Sequence, residues 1–252
     1  MIERRKSTIF AKILEIMSIR KHIPNTITCC NLISGCISIY LTFNGFHFGA
    51  ALMLFAAAIF DFFDGFAARA LDAKSPIGGE LDSLADVVSS GVAPSFILAH
   101  YMKDMGVEWM VGGVNVFVFT AFILAAFAAV RLAKFNIDTR QTSSFLGLPV
   151  PATGLFIASL SIMMMRIDEN GLLMKIVNNP YFFIAVILLF SWLMVSEVPF
   201  FSFKMKNLRF GDNRLRYILV IFAVVMFAVF GWVALPFIFL FYILLSVFFY
   251  RG

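Results

Sequence analysis

Asp61-Phe62-Phe63-Asp64-Gly65-Phe66-Ala67-Ala68-Arg69, followed after eight residues by Gly78-Gly79-Glu80-Leu81-Asp82-Ser83-Leu84-Ala85-Asp86, is the stretch that decides how this chain folds. Asp61, Asp64, Gly65 and Ala68 stand at i, i+3, i+4 and i+7 and so share one helical face. Gly78, Asp82 and Asp86 stand at i, i+4 and i+8, which is one face of a second helix. A short turn holding Asp72, Lys74, Ser75 and Pro76 joins the two. Adjacent antiparallel helices then aim four carboxylates at each other. Without neutralisation such a cluster repels itself strongly in a low dielectric. Ligands that are all oxygen favour Mg²⁺ or Mn²⁺, and four carboxylates suit two divalent ions about 4 Å apart, the arrangement used for phosphoryl transfer. Gly65 and Ala68 leave room on the same face for a bulky ligand, and Arg69 can pair with a phosphate. Spacing alone also allows a proton or ion relay in a transporter. Ordinary interhelical ion pairing is disfavoured, because bases are scarce in this window.

The surroundings of this stretch are apolar. Of 252 residues 61% are hydrophobic and only 14% charged, with a mean hydropathy of +0.92 and 32 Phe. A soluble domain has roughly a quarter charged residues, so the solvent of this chain is lipid. Charged residues inside such segments are costly and generally functional. Five of the 15 acidic residues (Asp61, Asp64, Glu80, Asp82 and Asp86) nevertheless fall at the ends of two apolar helices. No apolar stretch near the start is followed by a small-residue cleavage site, so the first helix is expected to insert and stay. Cys29, Cys30 and Cys36 form no CxxC pair and read as small apolar residues, not as a metal site or disulfide.

Apolar runs recur at about 27–44, 48–70, 80–102, 112–133, 150–166, 180–199, 216–232 and 234–250. The expected fold is therefore an all-α integral membrane protein of about eight transmembrane helices. Gly231 and Pro236 supply the only break between the last two runs, and one long helix is the alternative there. Residues 5–21 place Ile9, Phe10, Ile13, Leu14 and Met17 at helical spacing beside Arg5, Lys12, Glu15 and Arg20, as in a helix lying in the interface. A flexible basic tail is the alternative reading. The division is then 1–21 interfacial helix, 22–200 core and 201–252 C-terminal helices.

Charge orients this arrangement. With a cytoplasmic N-terminus, 17 of the 20 Lys and Arg residues fall on the cytoplasmic side: Arg4, Arg5, Lys6, Lys12, Arg20, Lys21, Arg69, Lys74, Arg131, Lys134, Arg140, Lys204, Lys206, Arg209, Arg214, Arg216 and Arg251. Only Lys103, Arg166 and Lys175 face outward. That asymmetry follows the positive-inside rule. It assigns the net charge of +5 to anionic lipid headgroups and not to nucleic acid.

The string from Asp61 to Asp86 resembles the signature of the CDP-alcohol phosphotransferases at all eight of its positions: Asp61, Asp64, Gly65, Ala68, Arg69, Gly78, Asp82 and Asp86. The resemblance implies a six-helix membrane core, to which two C-terminal helices are added here, and a homodimer with its metal site at the cytoplasmic end. It implies that Asp61, Asp64, Asp82 and Asp86 hold two divalent cations, Mg²⁺ or Mn²⁺, and that Asp86 is the catalytic base. It further implies that Gly65, Ala68, Arg69 and Gly78 contact the CDP-lipid.

The signature reads the donor and leaves the acceptor open. Pro24-Asn25-x-x-Thr28-x-x-Asn31-x-x-x-Gly35 resembles the serine-using branch of the family, whereas relatives that use glycerol phosphate typically carry Arg where Asn31 stands. Arg131-Leu-Ala-Lys134-Phe135-Asn136 and Phe145-Leu-Gly147-Leu-Pro149-x-Pro151 resemble the same branch. Arg131 and Lys134 lie at the cytoplasmic end of a helix, level with the aspartates, where a cation can hold the serine carboxylate. Alternatively, these bases only anchor lipid phosphates. The acceptor-binding candidates are thus Arg131, Lys134 and Asn31. The expected reaction joins CDP-diacylglycerol and L-serine at the cell (inner) membrane. The other acceptors in play are glycerol phosphate, inositol phosphate and choline.

The orientation is open to a direct check. Lys74→Cys and Lys103→Cys, each in a background lacking Cys29, Cys30 and Cys36, would be treated on intact cells with an impermeant thiol reagent. Position 103 is expected to label and position 74 to stay unlabelled. The reverse pattern would invert the topology.

Overall fold

The computed structural model describes residues 2–73, 75–138, 145–201, 211 and 213–250, with side chains from His22 onward, Phe145 excepted. Lys74, Arg140, Lys204, Lys206, Arg209 and Arg251 of the charge count lie outside these residues. Among the described residues the chain is all-α apart from two short antiparallel ladders, one a hairpin and the other joining distant segments. Its helices are α1 (Ile2–Phe43), α2 (His47–Ala70), α3 (Pro76–Asp86), α4 (Ala93–Lys103), α5 (Phe122–Ile137), α6 (Val150–Met164), α7 (Leu172–Val177), α8 (Pro180–Val195), α9 (Arg214–Phe230) and α10 (Leu235–Phe249). A π-helical turn, Val87–Val92, joins α3 to α4, and a 3₁₀ turn, Val116–Ala121, leads into α5. Five helical stretches among the described residues are long and apolar enough to cross a membrane: His22–Phe43, His47–Ala70, Pro76–Lys103, Val116–Ile137 and Arg214–Phe249. This is an integral membrane architecture.

Several boundaries differ from the sequence expectation, each for a physical reason. The segment 5–21 is helical but is not a separate element, because α1 runs unbroken through Pro24. Its 42 residues would measure about 63 Å, twice the hydrocarbon thickness. The run expected from 112 begins only at 116. Before it, β1 (Met110–Val111) and β2 (Val114–Asn115) form a hairpin. Its two-residue loop, Gly112-Gly113, has both residues at positive φ, the backbone of a tight hairpin turn that glycine permits. The last apolar stretch is two helices. Gly231 takes a φ of 56°, and the rings of Phe222 and Phe241 stack at 4.0 Å. In one straight helix they would stand about 28 Å apart.

α6 and α8, with 15 and 16 residues, are short for a spanning helix. α6 is buried along most of its length, from Val150 through Phe156 to Met163. It packs against α2, α4, α10 and the π-turn and forms the axis of the bundle. Close approach there depends on missing side chains. A Cβ on Gly35 would lie 2.7 Å from the Ser89 Cα, one on Gly91 would lie 2.9 Å from the Ala128 Cβ, and one on Gly154 would lie 3.0 Å from the Ser90 Cα. The π-turn after Asp86 is thus gripped by α1, α5 and α6.

A second clamp lies at the same end of the bundle. β3 (Phe145–Leu146) pairs antiparallel with β4 (Pro199–Phe200). Gly147 has a φ of 77° and donates to the Val198 carbonyl at 2.9 Å, while Leu148 donates to the Leu193 carbonyl at 2.9 Å. A Cβ on Gly147 would collide with the Met194 carbonyl, so only glycine fits. The Phe-Leu-Gly-Leu-Pro string is therefore a backbone clip that fixes the chain leaving α8.

Candidate active site at the α2–α3 end of the bundle

The turn between α2 and α3 builds the site. Asp72 occupies the left-handed region at φ 47°, which short polar residues tolerate. Ser75 caps α3, its Oγ accepting from the Gly78 amide at 3.0 Å, and Pro76 fills the first helical position. α3 thereby starts beside the end of α2, and three carboxylates converge. Asp61, Asp64 and Asp82 each offer an oxygen, all within 4.8 Å of one another. Phe62, Phe63 and Phe66, on the other face of α2, are exposed, as a lipid-facing stripe should be.

Asp86 is not one of this close trio. It lies one turn on from Asp82, is almost fully buried, and is near enough to Asp61, Asp64 and Asp82 to repel them. The four-carboxylate face expected from spacing is thus assembled as three converging groups and one recessed neighbour.

α1 holds this group in place. Thr28 Oγ1 donates to Asp64 Oδ2 at 2.6 Å, and Asn31 Nδ2 donates to Asp86 Oδ1 at 3.1 Å. Thr28 and Asn31, at i and i+3, point from one face of α1 toward carboxylates on two other helices. The Asn31 Oδ1 is buried with no donor among the described residues. Asn31 was expected at the acceptor, and the hydrogen bond ties it to Asp86. Nothing in the spacing marked Thr28 as a partner of Asp64.

The cluster suits a cation. The carboxyl groups of Asp61 and Asp82 lie within hydrogen-bond reach of each other, an arrangement that two bare anions cannot sustain. The Asp82 Oδ1 is buried without a donor among the described residues. An all-oxygen donor set with an open valence fits a hard divalent ion.

One cavity opens on the carboxylates, and a second lies beside Arg131. The first, of about 290 Å³, is lined by Asp64, Gly65, Ala68, Arg69, Gly78 and Asp82, with Pro24, Asn25 and Thr28 of α1 and Ser75 completing the wall. The Arg69 guanidinium folds back over Gly65, where a Cβ would lie 3.3 Å from Nη1. A Cβ on Gly78 would lie 3.1 Å from the Asn25 Oδ1, so this glycine lets α1 approach α3. The other cavity, of about 330 Å³, is lined by Arg131, Lys134 and Asp138 at the end of α5, and by Leu146 and the chain from Met194 to Glu197. Arg131 is buried, lies over the Phe135 ring at 4.8 Å, and is within electrostatic range of Asp86 and of Tyr242 on α10. Lys134 is exposed. Asn136 and Ser83 are hydrogen-bonded at 3.0 Å, tying the end of α5 to α3. Tyr242 gave no signal in the sequence. It lies within range of Arg131, and its hydroxyl donates to the Phe201 carbonyl at 3.1 Å.

Membrane helices, an aspartate cluster at one end and a signature-lined cavity define a class, and comparison with known proteins names it. A family model described as CDP-alcohol phosphatidyltransferase matches residues 21–203, and the chain belongs to that family. It is 35% identical over 184 residues to the CDP-diacylglycerol–serine O-phosphatidyltransferase of Bacillus subtilis, covering 73% of this chain and 92% of that one. It is 34% identical over 183 residues to the protein of the same name in Helicobacter pylori, covering 72% of each. It is 30% identical over 187 residues to that of Methanocaldococcus jannaschii, covering 73% of this chain and 77% of the other. Family membership sets the ion-carrier alternative aside.

Thr28→Val keeps the shape of the side chain and deletes its hydrogen bond to Asp64. Partners that orient metal-ligating groups contribute about 10–100-fold in metal affinity or activity. The Mn²⁺ concentration giving half-maximal thermal stabilisation of the purified protein is expected to rise about tenfold. An unchanged midpoint would contradict the orienting role.

Proposed function

We propose that this chain transfers the phosphatidyl group of CDP-diacylglycerol to L-serine, giving phosphatidylserine and CMP. The observation that carries this reading is a signature-lined cavity that opens on Asp64 and Asp82, with a second cavity beside Arg131, itself within electrostatic range of Asp86. The donor-signature residues line one, and the cations Arg131 and Lys134 line the other. The names of the similar bacterial and archaeal proteins support serine as the acceptor.

In this mechanism Asp61, Asp64 and Asp82, with Asp86 beside them, would hold two divalent cations, Mg²⁺ or Mn²⁺, which supply charge neutralisation for the pyrophosphate. Gly65, Ala68 and Gly78 leave space for the CDP moiety, and Arg69 pairs with a phosphate oxygen. Arg131 holds the serine carboxylate, with Lys134 nearby. Asn31 occupies Asp86 Oδ1 and so leaves Oδ2 as the proton acceptor. The serine hydroxyl gives its proton to Asp86, its oxygen bonds to the phosphorus of the phosphatidyl group, and the bond from that phosphorus to the bridging oxygen breaks. CMP leaves with the electron pair, and the acyl chains stay in the bilayer throughout. The reading places the site and both termini on the cytoplasmic side of the cell membrane, where the bases cluster, with the protein as a homodimer.

CMP release in detergent, measured over a panel of serine, glycerol phosphate, inositol phosphate and choline with Mg²⁺ or Mn²⁺, tests the reading. Release is expected with serine alone. Asp86→Asn is expected to reduce turnover by about 10²–10⁴-fold while CDP-diacylglycerol still binds. Release that depends on a different alcohol would replace the acceptor. A wild-type rate for the Asp86 variant would remove its role as base.

A further inference from the structure

Arg131 has only 6% of its surface exposed, yet its guanidinium makes no hydrogen bond or ion pair with any described residue. Asp86 and Tyr242 lie within electrostatic range of it, but the Asp86 Oδ1 takes its hydrogen bond from Asn31 and the Tyr242 hydroxyl donates to the Phe201 carbonyl. A field of that kind attracts a guanidinium without fixing its plane. What does touch Arg131 is an aromatic face, since its Cζ stands over the Phe135 ring, 4.8 Å from the centroid. Resting on the reading that L-serine is the acceptor and that Arg131 receives its carboxylate, we infer that Phe135 is a positioning residue, a platform that fixes the plane of the Arg131 guanidinium and thereby sets the affinity for serine.

The local sequence puts the ring there. Arg131 and Phe135 stand at i and i+4 on α5 and so share one face. A long side chain on a helix leans back over the turn that precedes it, which carries the Phe135 ring toward Arg131. The turn itself is anchored. The Asp138 amide donates to the Lys134 carbonyl at 3.0 Å, and Asn136, the next residue after Phe135, is hydrogen-bonded to Ser83 of α3 at 3.0 Å.

This geometry leaves the hydrogen-bonding edge of the arginine available. A guanidinium is planar and its N–H groups lie in that plane, so contact with a ring uses the face and spares the fork that meets a carboxylate bidentately. The attraction between a cation and a ring face is larger where water is excluded, as it is at Arg131. Arg131 lines the second cavity, whereas the Phe135 ring is not part of its wall, so the ring backs the guanidinium without occupying the space for the acceptor. Lys134, one residue before Phe135, is exposed and carries a compact charge with no plane to fix.

The test uses the full-length protein in detergent and follows CMP release, with KM measured separately for serine and for CDP-diacylglycerol. Phenylalanines carrying one, two and three ring fluorines, placed at position 135, keep the shape of the side chain and weaken the negative ring face step by step. The KM for serine is expected to rise with each fluorine, to about tenfold in all, while the KM for CDP-diacylglycerol and the Mn²⁺ midpoint of thermal stabilisation stay within about twofold. Phe135→Leu, apolar but without a ring face, is expected to match the trifluorinated protein. In an Arg131→Ala background Phe135→Leu is expected to add no further rise, because a positioning residue acts through the residue it positions. A serine KM indifferent to fluorination, or a Phe135→Leu effect undiminished in the absence of Arg131, would overturn the assignment. If the leucine variant does not fold, the fluorinated series carries the comparison by itself. Failure of wild-type protein to use serine would sink the underlying reading as well. Use of serine with a flat fluorine series would sink the present inference alone.

Discussion

Mutual repulsion among carboxylates inside an apolar bundle is the constraint on which the rest of this structure depends. Two like charges 4 Å apart repel by about 4 kcal/mol even at an effective dielectric of 20, and here three aspartates converge within 4.8 Å with a fourth beside them. A fold can tolerate this only if something positive enters and if the carboxylates cannot splay apart while they wait for it. α1 meets the second requirement through Thr28 on Asp64 and Asn31 on Asp86. Ser75 and Pro76 start α3 beside the end of α2, and the gripped π-turn fixes the chain immediately after Asp86. π-turns of this kind recur at functional sites.

The same constraint organises the space around the cluster. Gly65 and Gly78 keep one cavity open on the signature side, and Arg69 stands at its edge. On the other side α5, the Gly147 clip and the end of α8 shape a cavity lined by Arg131 and Lys134. The C-terminal hairpin is part of this support, since Tyr242 on α10 packs against Phe201 and lies within range of Arg131.

What could be read from sequence was whatever is local. Asp61, Asp64, Gly78, Asp82 and Asp86 announced a shared site because helical spacing puts residues three and four apart on one face, and the apolar runs announced the membrane. Long-range placement was not legible. Thr28 lies 36 residues from Asp64 and Asn31 lies 55 from Asp86, so neither hydrogen bond has a periodic signature. Tyr242 comes within range of Arg131 through a helical hairpin, which spacing does not encode. One shifted boundary did have a local signal: Gly112-Gly113 between apolar residues marks a tight hairpin. Recess of Asp86 from the other three carboxylates depends on how α3 meets α1, and no pattern within α3 indicates it.

The central claim is that the aspartate cluster exists to hold cations against a pyrophosphate. Counting Mn²⁺ bound per chain by electron paramagnetic resonance, with CDP present and absent, tests it most directly. The account predicts two ions per chain in the presence of CDP, with the exchange-coupled signal of a close pair, and loss of that signal in Asp61→Asn. Stoichiometric CDP binding with no bound Mn²⁺, or a Mn²⁺ signal indifferent to Asp61, would contradict it.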